Sequence, residues 1–167
     1  MMTPIATITM LADRPELAAG WAELHWQEWG KAPGREALSW WVDDAAKAIQ
    51  RTRVPVAFIA LGGHDEVLGG VGVHEFDLEE RRDRSPWVVG VIVRPDQRGQ
   101  GVGQALMMRM EAWATSAGIA QVWVATETAS RAVAFYQRCG YEPIEEIAAQ
   151  RGENVTILTK QFAPARS

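Results

Sequence analysis

Residues 91–103 read Val-Ile-Val-Arg-Pro-Asp-Gln-Arg-Gly-Gln-Gly-Val-Gly and decide the fold, because they turn an apolar strand into a helix through a glycine-rich corner. The branched residues 91–93 predict a buried strand, residues 94–96 end it, and a helical pattern begins at Val102. The glycines let the backbone turn several N–H groups outward at a helix N-terminus, where the helix dipole favours an anion. Arg98 adds a permanent positive charge, so the stretch predicts a phosphate-binding loop.

The spacing of these glycines excludes two common phosphate-binding loops. A dinucleotide-binding fingerprint requires G-x-G-x-x-G with an acidic residue about 20 positions later, and a P-loop requires G-x-x-x-x-G-K-[ST]. This chain instead has Arg98-x-x-Gly101-x-Gly103. That pattern resembles the (Q/R)-x-x-G-x-(G/A) signature of the GNAT family of N-acetyltransferases, whose loop wraps the pyrophosphate of acetyl-CoA. Taken alone, a glycine-rich turn that binds nothing is the alternative.

Length and composition predict one globular domain over residues 1–167, large enough to need no metal or disulfide for stability. The single cysteine excludes an internal disulfide, and no export signal begins the chain, so we expect a cytoplasmic protein. No apolar run approaches the roughly 18 residues of a membrane span. A net charge of −4 argues against nucleic-acid binding and favours a cationic small-molecule partner. The oligomeric state stays open, with a homodimer as one option.

The hydrophobic periodicity predicts strands and helices in the order βααβββαβαββ. Strands are predicted over residues 6–11, 55–61, 67–76, 87–93, 121–126, 141–148 and 155–160, and helices over 13–29, 35–51, 102–117 and 129–139. The helix between the fourth and fifth strands makes these strands parallel through a right-handed crossover. This order defines an α/β (α+β) protein with a mixed sheet and looks like the GNAT fold from end to end. The resemblance implies that the fourth and fifth strands splay apart.

A second motif follows near the C-terminus. Residues 132–141 read Ala-Val-Ala-Phe-Tyr-Gln-Arg-Cys-Gly-Tyr and resemble the GNAT element N-x-x-A-x-x-(L/F)-Y-x-x-x-G-(F/Y). The resemblance implies that the Tyr136 hydroxyl lies near the sulfur of coenzyme A and protonates the departing thiolate as a general acid. The alternative is a core aromatic residue with a satisfied hydroxyl. The chain departs from the pattern at Ala129, where many relatives have an asparagine that contacts the cofactor.

Together the two motifs imply an acetyl-CoA site. Main-chain N–H groups of the fourth strand would serve the pantetheine arm and the thioester carbonyl, and the loop would hold the diphosphate. The expected cofactor-binding residues are Val91, Ile92, Val93, Arg98, Gly99, Gln100, Gly101, Val102, Gly103, Gln104, Ala132 and Tyr136.

The general base is left open, because Trp87 stands at the position on the fourth strand where many relatives have glutamate. Glu75, Asp77 and Glu127 are the candidate bases, and each is equally explained as a solvated carboxylate. His74 has a suitable intrinsic pKa, but strand alternation places it on the opposite face from Glu75. A water relay without a single essential base is a further alternative.

The tryptophans suggest an acceptor site, because eight of them exceed what the core of so small a protein requires. Helical geometry places Trp21 and Trp41 on apolar faces and places others outside them. In GNAT proteins the first two helices cover the acceptor, so a pocket for a cationic or ring-bearing amine would be walled by Trp26, Trp29, Trp40 and Trp87. Packing between the helices is the alternative explanation.

These observations lead to one principal interpretation and one rival. The principal interpretation is an acetyl-CoA-dependent N-acetyltransferase acting on a primary amine of a small molecule, aminoglycoside- or polyamine-like, by direct attack in a ternary complex. A protein N-terminus or lysine is the alternative acceptor. The rival is a non-catalytic acyl-CoA sensor or protein-interaction domain of GNAT fold, favoured by Trp87 and Ala129 at positions that are usually polar.

Overall fold

The computed structural model describes residues 6–149 and 152–163. Over these residues the strands and helices follow the predicted order, which confirms the mixed α/β class. The strands are β1 Thr7–Met10, β2 Val56–Leu61, β3 Val67–His74, β4 Trp87–Val93, β5 Gln121–Glu127, β6 Glu142–Ala148 and β7 Asn154–Gln161, and the α-helices are α1 Ala18–Trp29, α2 Leu38–Lys47, α3 Val102–Ser116 and α4 Ala132–Arg138. The strands form one sheet in the order β1-β2-β3-β4-β5-β7-β6.

The chain groups into two compact units. The first takes in the chain up to Gly72 together with Gly90–Met110, and the second takes in Val73–Val89 together with the chain from Glu111 onward. The expectation of a single domain over residues 1–167 stays a prediction.

The first unit is built on β2, whose side chains are buried at every position. β1 pairs with it in antiparallel register, with Thr7 opposite Leu61. Trp21 and Leu24 of α1 are buried in the same hydrophobic core, which confirms the predicted apolar position of Trp21. α1 begins later than predicted, because the chain first makes two short 3₁₀ turns, Leu11–Asp13 and Pro15–Leu17.

α2 is shorter than predicted, covering Leu38–Lys47 instead of residues 35–51. Trp41 and Ala45 are buried as expected. Leu38 and Ile49 continue the apolar pattern of this helix in the sequence, but they are 38% and 36% exposed, so the buried face is shorter than that pattern at both ends. Periodicity located the buried centre of this helix correctly but extended it into the flanking turns.

In the second unit, β4 and β5 are parallel, as the crossover predicted. Among the described residues, their ladder joins Trp87 to Trp123 and Val88 to Val124. A ladder this short between strands of 7 residues each is what a splayed strand pair requires. β7 pairs in antiparallel fashion with β5 and with β6.

α4 begins at Ala132, three residues after the predicted start, because a turn precedes it in which Ser130 N–H donates to the Glu127 carbonyl at 3.0 Å. Its C-terminus has a left-handed glycine cap. Gly140 has φ +91°, and the following Tyr141 N–H returns to the Tyr136 carbonyl at 2.9 Å. Tyr136 is thus held in the last turn of a well-capped helix.

Candidate active site

The loop between β4 and α3 has the conformation that its glycines allow. Gly99 and Gly101 have φ values of +76° and +83°, in the left-handed region that favours glycine. Among the described residues, a Cβ built on either glycine would meet no heavy atom within 4 Å. The space above the loop is therefore open at both positions.

The start of α3 supplies main-chain donors at this loop. Ala105 N–H makes a helical hydrogen bond to the Gly101 carbonyl at 3.0 Å, and an α-helix leaves the amides before this point without a helical acceptor. The first turn reads Val-Gly-Gln-Ala over residues 102–105, so it adds no negative charge to the positive end of the helix dipole. Gly99, Gln100, Gly101 and Gln104 are exposed, Gly103 is half-buried and Val102 is buried. These features fit a diphosphate.

Arg98 is fixed beside the loop by contacts on two sides. Its Nε donates to the Val93 carbonyl at 2.9 Å, and its Nη2 lies 3.8 Å from the Glu28 carboxylate of α1. The main-chain bond ties the loop to the end of β4. The ion pair is solvent-exposed and contributes little energy, so the Arg98 guanidinium remains able to bind an anion.

β4 carries an irregularity at Gly90, which has φ +61° in the middle of the strand. The Gly90 carbonyl accepts a hydrogen bond from His25 Nε2 of α1 at 3.0 Å. A Cβ built on Gly90 would lie 2.8 Å from that same nitrogen, so the position has room only for glycine. The neighbouring Val91 and Val93 are half-buried, while Ile92 is buried in the core.

His25 lies beside the Gly90 irregularity and was not predicted as a candidate site residue from the sequence. Its ring packs against three tryptophans, with centroid distances of 3.7 Å to Trp21, 5.4 Å to Trp29 and 5.9 Å to Trp41. The available signal was the i, i+4 spacing of residues 21, 25 and 29, which places all three rings on one face of α1.

Two of the predicted acceptor residues belong to this aromatic cluster. Trp40 packs edge-on against Trp41 with centroids 4.9 Å apart, and the Trp29 ring packs against His25 with centroids 5.4 Å apart. Trp29 and Trp40 are 39% and 37% exposed, which is unusual for tryptophan. The Arg35 guanidinium lies over the Trp40 ring, 4.7 Å from its centroid. The structure thus brings exposed aromatic surface next to the Gly90 irregularity.

The other two predicted acceptor residues have structural positions. Trp26 is half-buried, and its Nε1 donates to the Glu36 carbonyl at 3.0 Å, which braces the connection between α1 and α2. Trp87 is 0% exposed, and its Nε1 donates to the Arg84 carbonyl at 2.8 Å. Trp87 therefore packs in the core, and the expectation that it walls an acceptor pocket is corrected.

Tyr136 is buried in the second unit, with its ring 5.3 Å from Phe135 and 5.9 Å from Tyr141 between centroids. Burial raises the pKa of its phenol well above the usual value, and the negative charge of Asp77 raises this pKa further. The phenol is therefore protonated throughout the physiological range. Asp77 is the candidate base whose charge acts on this hydroxyl.

The remaining predicted site residues of this unit lie at element ends. Glu75 follows β3 and Glu127 ends β5, and both side chains are exposed. Ala132, the first residue of α4, is half-buried, and its N–H donates to Ser130 Oγ at 3.3 Å. His74, at the end of β3, is half-buried.

Over residues 6–149 and 152–163, no group of three His, Cys, Asp or Glu side chains is arranged to hold a metal ion. In the same ranges no helix combines the length and apolar character needed to cross a bilayer. The expected cytoplasmic location and the homodimer option stay predictions.

Comparison with known proteins identifies the family to which a chain with this fold and loop belongs. Residues 15–141 match the sequence profile of the acetyltransferase (GNAT) family. The chain therefore belongs to this family, and it is an acetyltransferase. The resemblance inferred from the loop and from the Tyr136 motif is confirmed.

Individual proteins of known sequence or structure are similar to this chain over most of its length. The chain is 29% identical over 138 residues to an aminoglycoside N(6′)-acetyltransferase type 1 of Stenotrophomonas maltophilia, covering 80% of this chain and 85% of the relative. Its fold matches an aminoglycoside 6′-N-acetyltransferase solved in complex with coenzyme A, with a TM-score of 0.77, 14% identity and coverage of 96% and 99%. The enzyme of the same name from Enterococcus faecium gives a TM-score of 0.75 at 14% identity, with the same coverage. At such identities the solved structures show the fold alone.

Proposed function

We propose that the protein transfers the acetyl group of acetyl-CoA to a primary amine on a ring-bearing, cationic small molecule of the aminoglycoside type. One observation carries this proposal. The irregularity of β4 at Gly90 is hydrogen-bonded to His25, whose ring packs in a tryptophan cluster that exposes Trp29 and Trp40, and the same strand leads into a loop that fits a diphosphate. Within one unit, the chain thus offers a place for an acyl donor and aromatic surface for an acceptor. The relative from S. maltophilia, named as an aminoglycoside acetyltransferase, supports the same acceptor class.

The donor would be held mainly by the main chain. The amides at the start of α3 and the Arg98 side chain would bind the diphosphate. The main-chain N–H groups of Val91 and Val93 would face the pantetheine arm, and one of them would donate to the thioester oxygen as negative charge develops there. Acetyl-CoA supplies an activated acyl group, so the protein has to position the amine and stabilise the departing groups.

The reaction would proceed by direct attack of the neutral amine on the thioester carbon. A C–N bond forms, the C–S bond breaks, and Tyr136 gives its proton to the sulfur. The amine loses one proton to water through Asp77, and Tyr136 recovers a proton from solvent, so amine and thioester become amide and thiol. The raised pKa of Tyr136 keeps it protonated before each turnover. Glu75 and Glu127 are the alternative proton acceptors.

The acceptor would stack on Trp29 and Trp40. Tryptophan faces bind sugar rings and attract cations, and the chain's net charge of −4 also favours a cationic acceptor. Arg35 lies over Trp40, so it would have to move aside or recognise a hydroxyl of the acceptor.

The test is an acceptor screen with purified protein and acetyl-CoA, in which release of thiol is followed and products are identified by mass spectrometry. The panel contains aminoglycosides, polyamines, amino acids and peptides with a free N-terminus or lysine. We expect acetylation of an aminoglycoside, with KM for the acceptor raised by Trp40→Ala while KM for acetyl-CoA stays constant. Met108→Ala, at an exposed position on α3, is the matched control and should behave as wild type.

Three outcomes would overturn parts of this proposal. Preferential acetylation of peptides would replace the small-molecule acceptor with a protein one. Turnover that is insensitive to both Trp29→Ala and Trp40→Ala would remove the aromatic acceptor site. Tight binding of acetyl-CoA without acetylation of any amine in the panel would favour the acyl-CoA sensor.

A further inference from the structure

We propose that His25 is a positioning residue, which sets the orientation of the Gly90–Val91 peptide and thereby aims the Val91 N–H at the thioester oxygen. This inference rests on the proposed acetyl transfer. His25 would contact neither substrate through this hydrogen bond and would act through the main chain of β4.

The planarity of the peptide bond couples the direction of the Gly90 carbonyl to that of the Val91 N–H. In a trans peptide the carbonyl of one residue and the N–H of the next point in opposite directions within one rigid plane. The hydrogen bond of 3.0 Å from His25 Nε2 fixes the direction of the Gly90 carbonyl. It therefore also fixes the direction of the Val91 N–H.

Gly90 needs such a restraint because of its conformation. Its φ of +61° lies in a region that glycine enters and leaves at little cost, so the residue by itself does not hold one peptide orientation. A larger residue would hold the backbone more firmly, but its Cβ would lie 2.8 Å from His25 Nε2. The chain thus combines a flexible glycine with a donor from another element.

The imidazole is itself held in place. Trp21 lies against it at a centroid distance of 3.7 Å, and Trp29 and Trp41 pack at 5.4 Å and 5.9 Å. Because a carbonyl only accepts, the proton of this hydrogen bond is on Nε2. A ring enclosed in this way presents its N–H in one direction, as a preorganised donor requires.

The test compares two substitutions that differ in their donor. His25→Gln keeps an N–H at nearly the position of Nε2, whereas His25→Phe keeps an aromatic ring and removes the donor. His64→Phe, at an exposed turn residue, is the matched control for replacing an imidazole. All three are compared with wild type for kcat, KM for acetyl-CoA, Kd for coenzyme A and thermal unfolding.

We expect His25→Phe to lower kcat by about 10- to 100-fold, in the range reported for misplaced groups and lost oxyanion donors. Kd for coenzyme A should change less than about twofold, because the loop amides are untouched, and His25→Gln should recover most of the lost kcat. His64→Phe should match wild type. A wild-type kcat in His25→Phe, or equal losses in the Phe and Gln variants, would overturn the proposal.

A second measurement does not depend on turnover. The Val91 amide resonance in ¹⁵N–¹H NMR spectra should shift differently with acetyl-CoA and with coenzyme A in wild type, and this difference should vanish in His25→Phe and return in His25→Gln. If no amine is acetylated but this pattern holds, the proposed function fails and the positioning role stands. If amines are acetylated and the difference persists in His25→Phe, the positioning role fails and the proposed function stands.

Discussion

Gly101→Val separates two properties of the phosphate-binding loop, its conformation and the space that it leaves for an anion. Gly101 has φ +83°, where an L-residue costs about 1–2 kcal/mol. Among the described residues, a Cβ at this position meets no heavy atom within 4 Å, so the first added carbon causes no clash in the free protein. We therefore expect the free energy of unfolding to fall by about 1–2 kcal/mol and Tm to fall by roughly 2–8 °C.

The expected effect on coenzyme A binding is larger. The added side chain stands beside the first amides of α3, where the diphosphate is proposed to lie. Losing one hydrogen bond to a charged group costs about 1.5–3 kcal/mol, which corresponds to a roughly 10- to 150-fold increase in Kd. The backbone strain is present in the free and the bound protein alike, so it cannot produce this increase.

Titration calorimetry with coenzyme A measures Kd, and thermal unfolding without ligand measures the strain. Gly118→Val is the matched control, because Gly118 has φ +79° and, among the described residues, equally open space around a built Cβ, but it closes the other end of α3. It should lose as much stability as Gly101→Val and keep the wild-type Kd. An unchanged Kd in Gly101→Val, or equal losses of affinity in both variants, would refute the assignment of the loop to the diphosphate.

Three further predictions concern single side chains. Tyr136→Phe should lower kcat about 10²-fold with little change in Kd for coenzyme A. Because burial raises the pKa of the Tyr136 phenol, the wild-type rate should show no loss from phenol ionisation below about pH 10. Steady-state kinetics across pH test both statements. Lys160→Met removes the ammonium that lies 2.8 Å from the largely buried Glu111 carboxylate. It should lower the free energy of unfolding, measured in urea, by about 1–3 kcal/mol. An unchanged urea midpoint would show that water replaces the lysine. The hydrogen bond from Arg14 lowers the pKa of Asp65, so its contribution to stability is present above about pH 4 and is lost as pH falls through the folded pKa. Asp65→Asn should therefore flatten the fall of Tm between about pH 5 and pH 2, and an unaltered slope would count against this pair.

The fold was predictable because its elements are marked by local signals. Apolar runs bounded by glycine and proline fixed the strands, and β4 was predicted with the bounds that the structure shows. The ends of helices were less predictable. The apolar pattern of α2 continues to Ile49, although the helix ends at Lys47. A pattern can run past the end of a helix because an apolar residue can also lie in the turn that follows.

The candidate site was predictable where it depends on the main chain. The glycines at 99 and 101 predict a loop with outward amides, and both residues have the positive φ that such a turn requires. His25 was missed because its partner is a carbonyl in a distant strand, and no local pattern reports such a contact. The prediction that Trp87 walls an acceptor pocket was wrong for a related reason. Burial at the start of a strand depends on neighbours that are remote in sequence.

α1 links the proposed donor site to the proposed acceptor site within the first unit. His25 bonds to the Gly90 carbonyl, and Glu28, about one helical turn further along, lies near the guanidinium of Arg98 in the loop. Trp29 follows directly and exposes its ring beside His25. A small rotation of α1 about its axis would therefore displace the His25 and Glu28 contacts and the exposed Trp29 ring together. Because these contacts share one rigid element, the acceptor surface and the strand that would hold the thioester are kept in a fixed relation, which is what direct transfer between two bound substrates requires.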